Sequence, residues 1–400
     1  MKKEKGGVTR PKGFFASAIC CGIKRVNKDL SLIYSQAPAK AAGVFTANKV
    51  KGVPLIVSRI NLNNGIAQAI IANSGNANCL TGKAGLNDAY IIIKSVARTL
   101  SIKKNDVLVA STGVIGKRLP VLNIISGIDK LVSLLSSTGS KDVAKALMTT
   151  DTFSKEAAVS FKIGCNTVNI GAVAKGAGMI NPNMATMLAF VTTDAAITIA
   201  ALKKALKESV QATFNCITVD GDMSTNDCVF ILANGLAGNK TITTKGRDYE
   251  LFKKALTSVC YAMAEKIIRD AEGATKFIKV NVKRAKDTND ARKAAYAIAT
   301  SPLVKTAIYG EDPNWGRIAA AIGRSGADFM PAKLDIYLGG AKVLFKGTPT
   351  NINKDLLKKR VFKKKDIEIS AVLNRGYGEA TILTSDLSKE YVDINAHYMT

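Results

Sequence analysis

Short β-branched runs alternate with longer amphipathic segments along this 400-residue chain, and that alternation restricts the fold more than any other feature. Leu55 to Val57, Ala69 to Ala72, Val107 to Ala110 and Met187 to Thr193 read as buried strands, several running into Gly, Ser, Thr and Asn clusters where sites tend to sit. Between them, Tyr90, Ile93, Ala97 and Leu100 recur at helical spacing, as do Val121, Ile125, Ile128, Val132 and Leu135. Further on, Leu202, Leu206, Val210 and Phe214 line one helical face, and Phe252, Leu256, Val259, Met263 and Ile267 line another. These stripes read as core packing and predict an α/β fold, whose strand order pattern alone does not specify. No repeat with a period of roughly 20 to 50 residues is visible, which excludes a solenoid or propeller. The length is more than one hydrophobic core usually serves, so two lobes, or a large α/β body with a smaller second layer, is expected. With 47% hydrophobic and 22% charged residues and no linker-like stretch, the expectation is one compact body.

No apolar run approaches the roughly 18 to 20 residues of a membrane helix, and the first residues carry charge but no apolar h-region, so a cytoplasmic protein is expected. Cys20, Cys21, Cys79, Cys165, Cys216, Cys228 and Cys260 show no CxxC spacing and mostly apolar neighbours, a pattern that reads as reduced, buried thiols. The one histidine, His397, excludes a His-rich metal site and makes a histidine base a poor expectation. The formal charge of +26 raises nucleic acid, acidic membranes or anionic metabolites as partners. Basic residues are nevertheless spread along the chain, clustering only at Lys2 to Lys12 and Lys358 to Lys365, and no aromatic residues alternate with them to stack bases. A lysine-rich solvated surface is the better reading.

Two glycine motifs fail as nucleotide sites. Gly113 to Lys117 lacks the four-residue gap and Ser/Thr of a P-loop, and Lys175 to Gly178 lacks a third glycine at dinucleotide spacing. The oxygen-rich segment DGDMSTND, with Ser224, Thr225 and Asp227, fails the calcium-loop pattern, and with Glu311, Asp312, Asn314 and Arg317 it reads as a structural polar network rather than a metal site. The informative stretch is Ala174 to Phe190, AKGAGMINPNMATMLAF, in which a glycine- and proline-containing loop delivers the chain into an apolar strand with Ala185-Thr186 at the junction. A threonine hydroxyl there can attack the preceding carbonyl, shift the peptide to an ester that water opens, and leave an α-amine as local base. That amine has an ordinary pKa near 8, so no histidine is needed. On residue type alone, Thr186 as an ordinary strand start is the better-supported alternative.

The same stretch, extended to AKGAGMINPNMATMLAFVTTDA, resembles the signature of the ornithine acetyltransferase family of arginine biosynthesis, whose members cut before the Thr of an Ala-Thr-Met-Leu sequence. Similar segments run along almost the whole chain: GVTRPKGF, GVFTAN, ANSGNAN, STGVIG, MTTDT, ITVDGDMSTND, DAEGATKF, GEDPNWGRI and DINAHYMT. Asn181 departs from the family pattern, which has His there, at a position outside the cut bond. The resemblance implies a layered α/β fold of the self-processing aminopeptidase and ornithine acetyltransferase type with a smaller second lobe. It also implies a cut between Ala185 and Thr186 into residues 1–185, carrying the oxyanion hole, and residues 186–400, carrying the nucleophile.

By resemblance, Thr186 is the acyl-carrying nucleophile and the Thr112 hydroxyl and Gly113 N–H form the oxyanion hole. Lys175 would take the substrate carboxylate and Glu272 the ornithine ammonium, with Thr152, Asn395 and Thr400 as further contacts. The implied reaction moves acetyl from N-acetylornithine to glutamate by a ping-pong route. No cofactor is implied, acetyl-CoA being an optional second donor, and the implied assembly has two copies of each fragment. The alternatives are a self-cleaving amidase or aminopeptidase of the same fold, discharging its acyl group to water, and a basic nucleic-acid-binding protein, which the chain's lack of a recognised binding module disfavours.

Overall fold

The computed structural model describes residues 1–181 and 187–397, so Ala185, Thr186 and Thr400 lie outside the described residues. The chain divides into two compact units, as its length suggested and against the single body expected from composition: unit 1 holds Met1–Asn215 and Met223–Ile267, and unit 2 holds Cys216–Asp222 and residues 268–397. Among the described residues no helix is long and apolar enough to cross a membrane.

Unit 1 is built on a nine-stranded sheet formed by β1 (Lys2–Glu4), β2 (Phe14–Ile19), β3 (Leu30–Phe45), β4 (Ile66–Asn76), β5 (Val107–Val114), β6 (Lys155–Ile163), β7 (Asn166–Lys175), β8 (Leu188–Thr193) and β9 (Cys228–Ala233). Their order is β1-β6-β7-β8-β9-β3-β4-β5, with β2 paired to β3. Strand β3 is the hinge of this arrangement: its first half pairs with β4, its register shifts between Tyr34 and Ala39, and its second half, Lys40 to Phe45, pairs with β9. β4 and β5 run parallel, as do β8 and β9, while β7 and β8 are antiparallel with Lys175 opposite Leu188.

Around this sheet lie α1 (Val53–Asn61), α2 (Gly82–Leu100), α3 (Val121–Ser133), α4 (Ser140–Leu147), α5 (Ile199–Ala212) and α6 (Arg247–Arg269). The stripe predicted for α6 is fully buried: Phe252, Leu256, Val259, Met263 and Ile267 all face the core. On α5, Leu202, Leu206 and Val210 are buried as expected and Thr198 caps the helix by accepting the Ala201 N–H. Phe214 is buried too, from the short 3₁₀ turn beyond the helix. The α2 stripe is rotated by one residue, since Tyr90 is exposed and Ala89, Ile92, Ile93, Val96 and Ala97 face inward. Leu55 to Val57, expected as a strand, is the middle of α1. Three apolar residues cannot separate the two periodicities, and Pro54 in the first turn, with Ser58 and Asn61 anchored on β5 through the Val109 and Val107 carbonyls, selects the helix.

Unit 2 carries a six-stranded sheet of β10 (Phe277–Ala285), β11 (Asp335–Leu338), β12 (Ala341–Phe345), β13 (Thr348–Pro349), β14 (Asp366–Val372) and β15 (Gly378–Ser385), in the order β13-β12-β11-β14-β10-β15. Its helices are α7 (Thr288–Ala299), α8 (Pro302–Tyr309), α9 (Trp315–Gly323), α10 (Lys354–Leu357) and α11 (Lys389–His397). Asp287 and Ser301 cap α7 and α8 by accepting the Asp290 and Val304 amides, and the small residues Ala291, Ala294 and Ala295 let α7 lie close on the sheet, with Ile298 buried in the same core.

The thiols depart from expectation: Cys79, Cys228 and Cys260 are buried, but Cys21 and Cys216 are half-buried and Cys20 and Cys165 are exposed. At the centre of unit 1, Phe230 on β9 stacks on Phe190 of β8 and meets Phe45 of β3 edge to face. Because these three strands are the ones that bring distant parts of the chain together, Phe230→Ala should cost about 3–5 kcal/mol, read as a lowered urea midpoint at unchanged slope.

Candidate active site

Two adjacent side chains, Asn226 and Asp227, tie together segments of unit 1 that lie far apart in sequence. Asn226 donates from Nδ2 to the Ser111 carbonyl at 2.9 Å and to the Ala77 carbonyl at 2.6 Å, and its Oδ1 accepts the Thr225 hydroxyl. It thereby grips the end of β5, where Thr112 and Gly113 stand, and the end of the ANSGNAN segment. Asp227 accepts the Met187 N–H on Oδ1 at 2.9 Å, fixing the residue that follows Thr186. The loop holding both is itself pinned by GVFTAN: the Thr46 N–H donates to the Asp227 carbonyl, the Thr46 hydroxyl to the Ser224 carbonyl, and Asn48 Nδ2 to the Met223 carbonyl. The predicted oxyanion residues and the start of β8 are thus held by one dipeptide.

Gly113 occupies a position that no other residue fits. Its φ is +129°, and a Cβ there would stand 2.4 Å from the Gly75 carbonyl carbon of the neighbouring strand. The strand end therefore keeps bare backbone at Gly113, next to the buried Thr112, as a hydrogen-bond site for an oxyanion requires. Ser111 is locked behind it, its hydroxyl donating to Asn73 Oδ1 at 2.6 Å.

Lys175, the last residue of β7, is buried and lies 3.9 Å from Asp151 Oδ2. Asp151 also accepts Lys155 Nζ at 2.6 Å, the Gly176 N–H at 2.7 Å and the Thr149 N–H at 3.0 Å. Burial by itself would raise this carboxyl, but the charges of Lys175 and Lys155 and their hydrogen-bonding company outweigh it and hold it at about 2. These two lysines and one carboxylate sum to a net positive charge in a buried place, the right sign for an anionic substrate group. Thr152, next to Asp151, is exposed.

In unit 2, Glu272 is buried at a turn and its Oε2 accepts Asn395 Nδ2 at 2.8 Å, so the structure joins these two predicted contacts. Gly273, with φ +65°, makes the turn possible: a Cβ would stand 2.5 Å from the Tyr391 backbone nitrogen of α11, and the Ser388 hydroxyl donates to its carbonyl. His397 sits exposed on α11 with Nδ1 2.8 Å from the Asp393 carbonyl oxygen. Asn226 escaped sequence reasoning, and Asp227 was read only as part of a structural network. Both signals lay in the STND stretch, but their partners are separated from it by 40 or more residues.

Fold and polar cluster together define an α/β enzyme. The chain belongs to the ArgJ family, whose model matches residues 15–400. It is 49% identical over 398 residues to the arginine biosynthesis bifunctional protein ArgJ of Symbiobacterium thermophilum, covering 99% of each chain. It is 47% identical to the Lactococcus lactis protein of the same name, covering 100% of both. Among solved structures, it is similar to the Bacillus halodurans arginine biosynthesis bifunctional protein at 44% identity and a TM-score of 0.51, over 52% of this chain and 98% of that one.

The Asp151 cluster gives a stability test with a defined sign. Its folded-state pKa lies below the ordinary 3.8, so its contribution is present above that value and is lost as pH falls towards about 2. Asp151→Asn should be less stable than wild type by at least about 2 kcal/mol at pH 7, with the gap closing at acid pH. Urea unfolding at pH 7 and pH 3 reads this, and an equal gap at both would remove the ion cluster as its cause.

Proposed function

We propose that the chain is an acyltransferase of arginine biosynthesis that cuts itself between Ala185 and Thr186 and then carries acetyl on Thr186 from N-acetylornithine to glutamate. The observation that carries this reading is the Asn226-Asp227 grip, which holds Ser111-Thr112-Gly113 and the residue after Thr186 in one place. In the first half-reaction the Thr186 hydroxyl adds to the acetyl carbonyl, with its new α-amine as base. The developing oxyanion takes hydrogen bonds from the Thr112 hydroxyl and Gly113 N–H, each donor being worth about 2.7–4 kcal/mol of transition-state stabilisation. Ornithine leaves; the glutamate amine then attacks the acetyl-threonine ester and restores the hydroxyl.

Lys175 takes the substrate carboxylate, while Glu272, oriented by Asn395, takes the ornithine ammonium. Thr152 and Thr400 complete the contacts. Acetyl-CoA serves as a second acetyl donor, in keeping with the word bifunctional in the relatives' name. Two copies of each fragment form the working assembly. The sheet offers a means of holding the fragments without a disulfide: β8, beyond the cut, pairs with β7, before it, over Ile170 to Lys175, and β9 pairs with β3 over Lys40 to Phe45.

Thr186→Ala should be uncut and inactive, and Thr186→Ser partly cut and partly active, because serine keeps the attacking oxygen and loses only the methyl that restrains its rotamer. Intact mass reports the cut, and labelled N-acetylornithine without glutamate should leave acetyl on the peptide beginning at residue 186 in wild type and the Ser variant alone. Acetyl transfer persisting in Thr186→Ala moves the nucleophile elsewhere.

Glu272→Gln should raise KM for N-acetylornithine at least about tenfold while leaving turnover of an acetyl donor that lacks the ammonium nearly unchanged, since a charge-assisted hydrogen bond contributes roughly 1.5–3 kcal/mol. Equal losses with both donors would assign Glu272 to the fold instead.

A further inference from the structure

The α-amine that serves the mature enzyme as base does not exist until the chain has been cut, so the first cut needs a different proton acceptor. Two buried carboxylates of unit 1 are tied to the segments flanking the cut. Asp151 is fully engaged: Oδ1 takes Lys155 and the Gly176 N–H, Oδ2 takes the Thr149 N–H with Lys175 nearby, and its pKa of about 2 makes it a feeble base. Asp227 is buried as well but differs in its partners and its acidity. Its Oδ1 is committed to the Met187 N–H, and Oδ2 makes no hydrogen bond among the described residues. A buried carboxylate oxygen with no partner costs free energy, and its persistence calls for a use. The Met187 nitrogen that Asp227 holds belongs to the residue that directly follows Thr186 in the chain.

We propose that Asp227 is the proton acceptor of the self-cleavage step, taking the Thr186 hydroxyl proton through Oδ2 and returning it to the nitrogen that departs. This rests on the reading of Thr186 as the self-cleaving residue. The step balances without any co-reactant but water. Thr186 Oγ1 forms a bond to the Ala185 carbonyl carbon as its proton moves to Asp227. The tetrahedral centre collapses, the Ala185–Thr186 C–N bond breaks, and the proton passes to the Thr186 nitrogen, leaving an ester and an α-amine. Water then adds to the ester, the ester C–O bond breaks, the Thr186 hydroxyl is regenerated and Ala185 ends as a carboxylate. Burial pushes the Asp227 carboxyl well above its ordinary value, against the opposing effects of the Met187 amide, Ser224 and Lys175, which makes it a stronger base than an exposed aspartate.

Asp227→Asn is the direct test, because Oδ1 can still accept the Met187 N–H while the second position no longer accepts a proton. Cutting, followed by intact mass after purification, should slow at least about a hundredfold in a variant whose melting temperature stays within a few degrees of wild type. Hydroxylamine, which opens esters, should release no fragment from this variant, since the ester never forms. Release by hydroxylamine would overturn the proposal by placing the block at ester hydrolysis, and cutting at the wild-type rate would overturn it outright. Should the Asn variant not fold, Asp227→Ala with added formate decides: formate restoring the cut supports a proton acceptor at this place, and no restoration refutes it. Thr186→Ala run in parallel separates the two readings. If that variant is cut, the nucleophile assignment fails; if it stays whole while Asp227→Asn cuts normally, only the role of Asp227 fails.

Discussion

The Asn226-Asp227 dipeptide is the constraint on which the site depends. The two side chains leave a bend just ahead of β9 and reach two partners at once. Here one side chain holds the carbonyl of Ser111 at the end of β5 and the other holds the Met187 amide at the head of β8. The loop is supported from the end of β3 by one backbone bond, the Thr46 N–H to the Asp227 carbonyl, and by the Thr46 hydroxyl and Asn48 side-chain amide, which donate to the Ser224 and Met223 carbonyls. Positioning of this kind is what an acyl-transfer centre needs, since displacement of a reacting group by an ångström costs orders of magnitude in rate.

Electrostatics complete the arrangement through two buried carboxyls with opposite tendencies. Asp151 is held strongly acidic by two lysines and two amides, and it is the ion partner of Lys155 and Lys175 in a place where a lone ammonium would be expensive. Asp227 is pushed the other way by burial with only one backbone donor resolved on its carboxylate. Carboxyls in the same unit driven apart in acidity by their surroundings are the usual means by which a fold sets up both a fixed charge and a mobile proton. The net charge of +26 belongs to a different level of the molecule: it describes the solvated surface, whereas the few buried lysines each have a local partner or carbonyl, as Lys305 does in the Val219 carbonyl.

A cut at Ala185-Thr186 would fall inside unit 1 and away from the crossings between the compact units after Asn215, Asp222 and Ile267, because β7 and β8 are neighbours in one sheet. The fragments of sequence and the units of packing are therefore different divisions of the chain. Buried strand pairing on both sides of β8 makes the division at 185 tolerable, since the hydrogen bonds that hold β8 in place run to β7 and β9 rather than along the backbone.

Much was legible in the sequence by itself. The α/β class and the long helices followed from apolar periodicity, which survives any tertiary arrangement because a buried stripe must repeat every three to four residues. Gly113 was singled out through residue type and family resemblance, and the structure gives it a backbone that only glycine fits, whereas the expectation for Thr186 lies outside the described residues. Three features were not legible. The three-residue run around Leu55 fits either period, and only its anchoring to β5 made it helical. The inward face of α2 was misjudged by one residue because Tyr90, apolar over most of its surface, is left exposed. The partnership of Asn226 with Ser111 and of Asp227 with Met187 joins positions 115 and 40 residues apart, and pairings of that separation have no local signature. Sequence determined which residues are candidates for the chemistry, because reactivity resides in residue type. Tertiary structure alone decided which of them meet, because hydrogen bonds between distant segments exist only after β3 has bent and the sheet has brought their strands together.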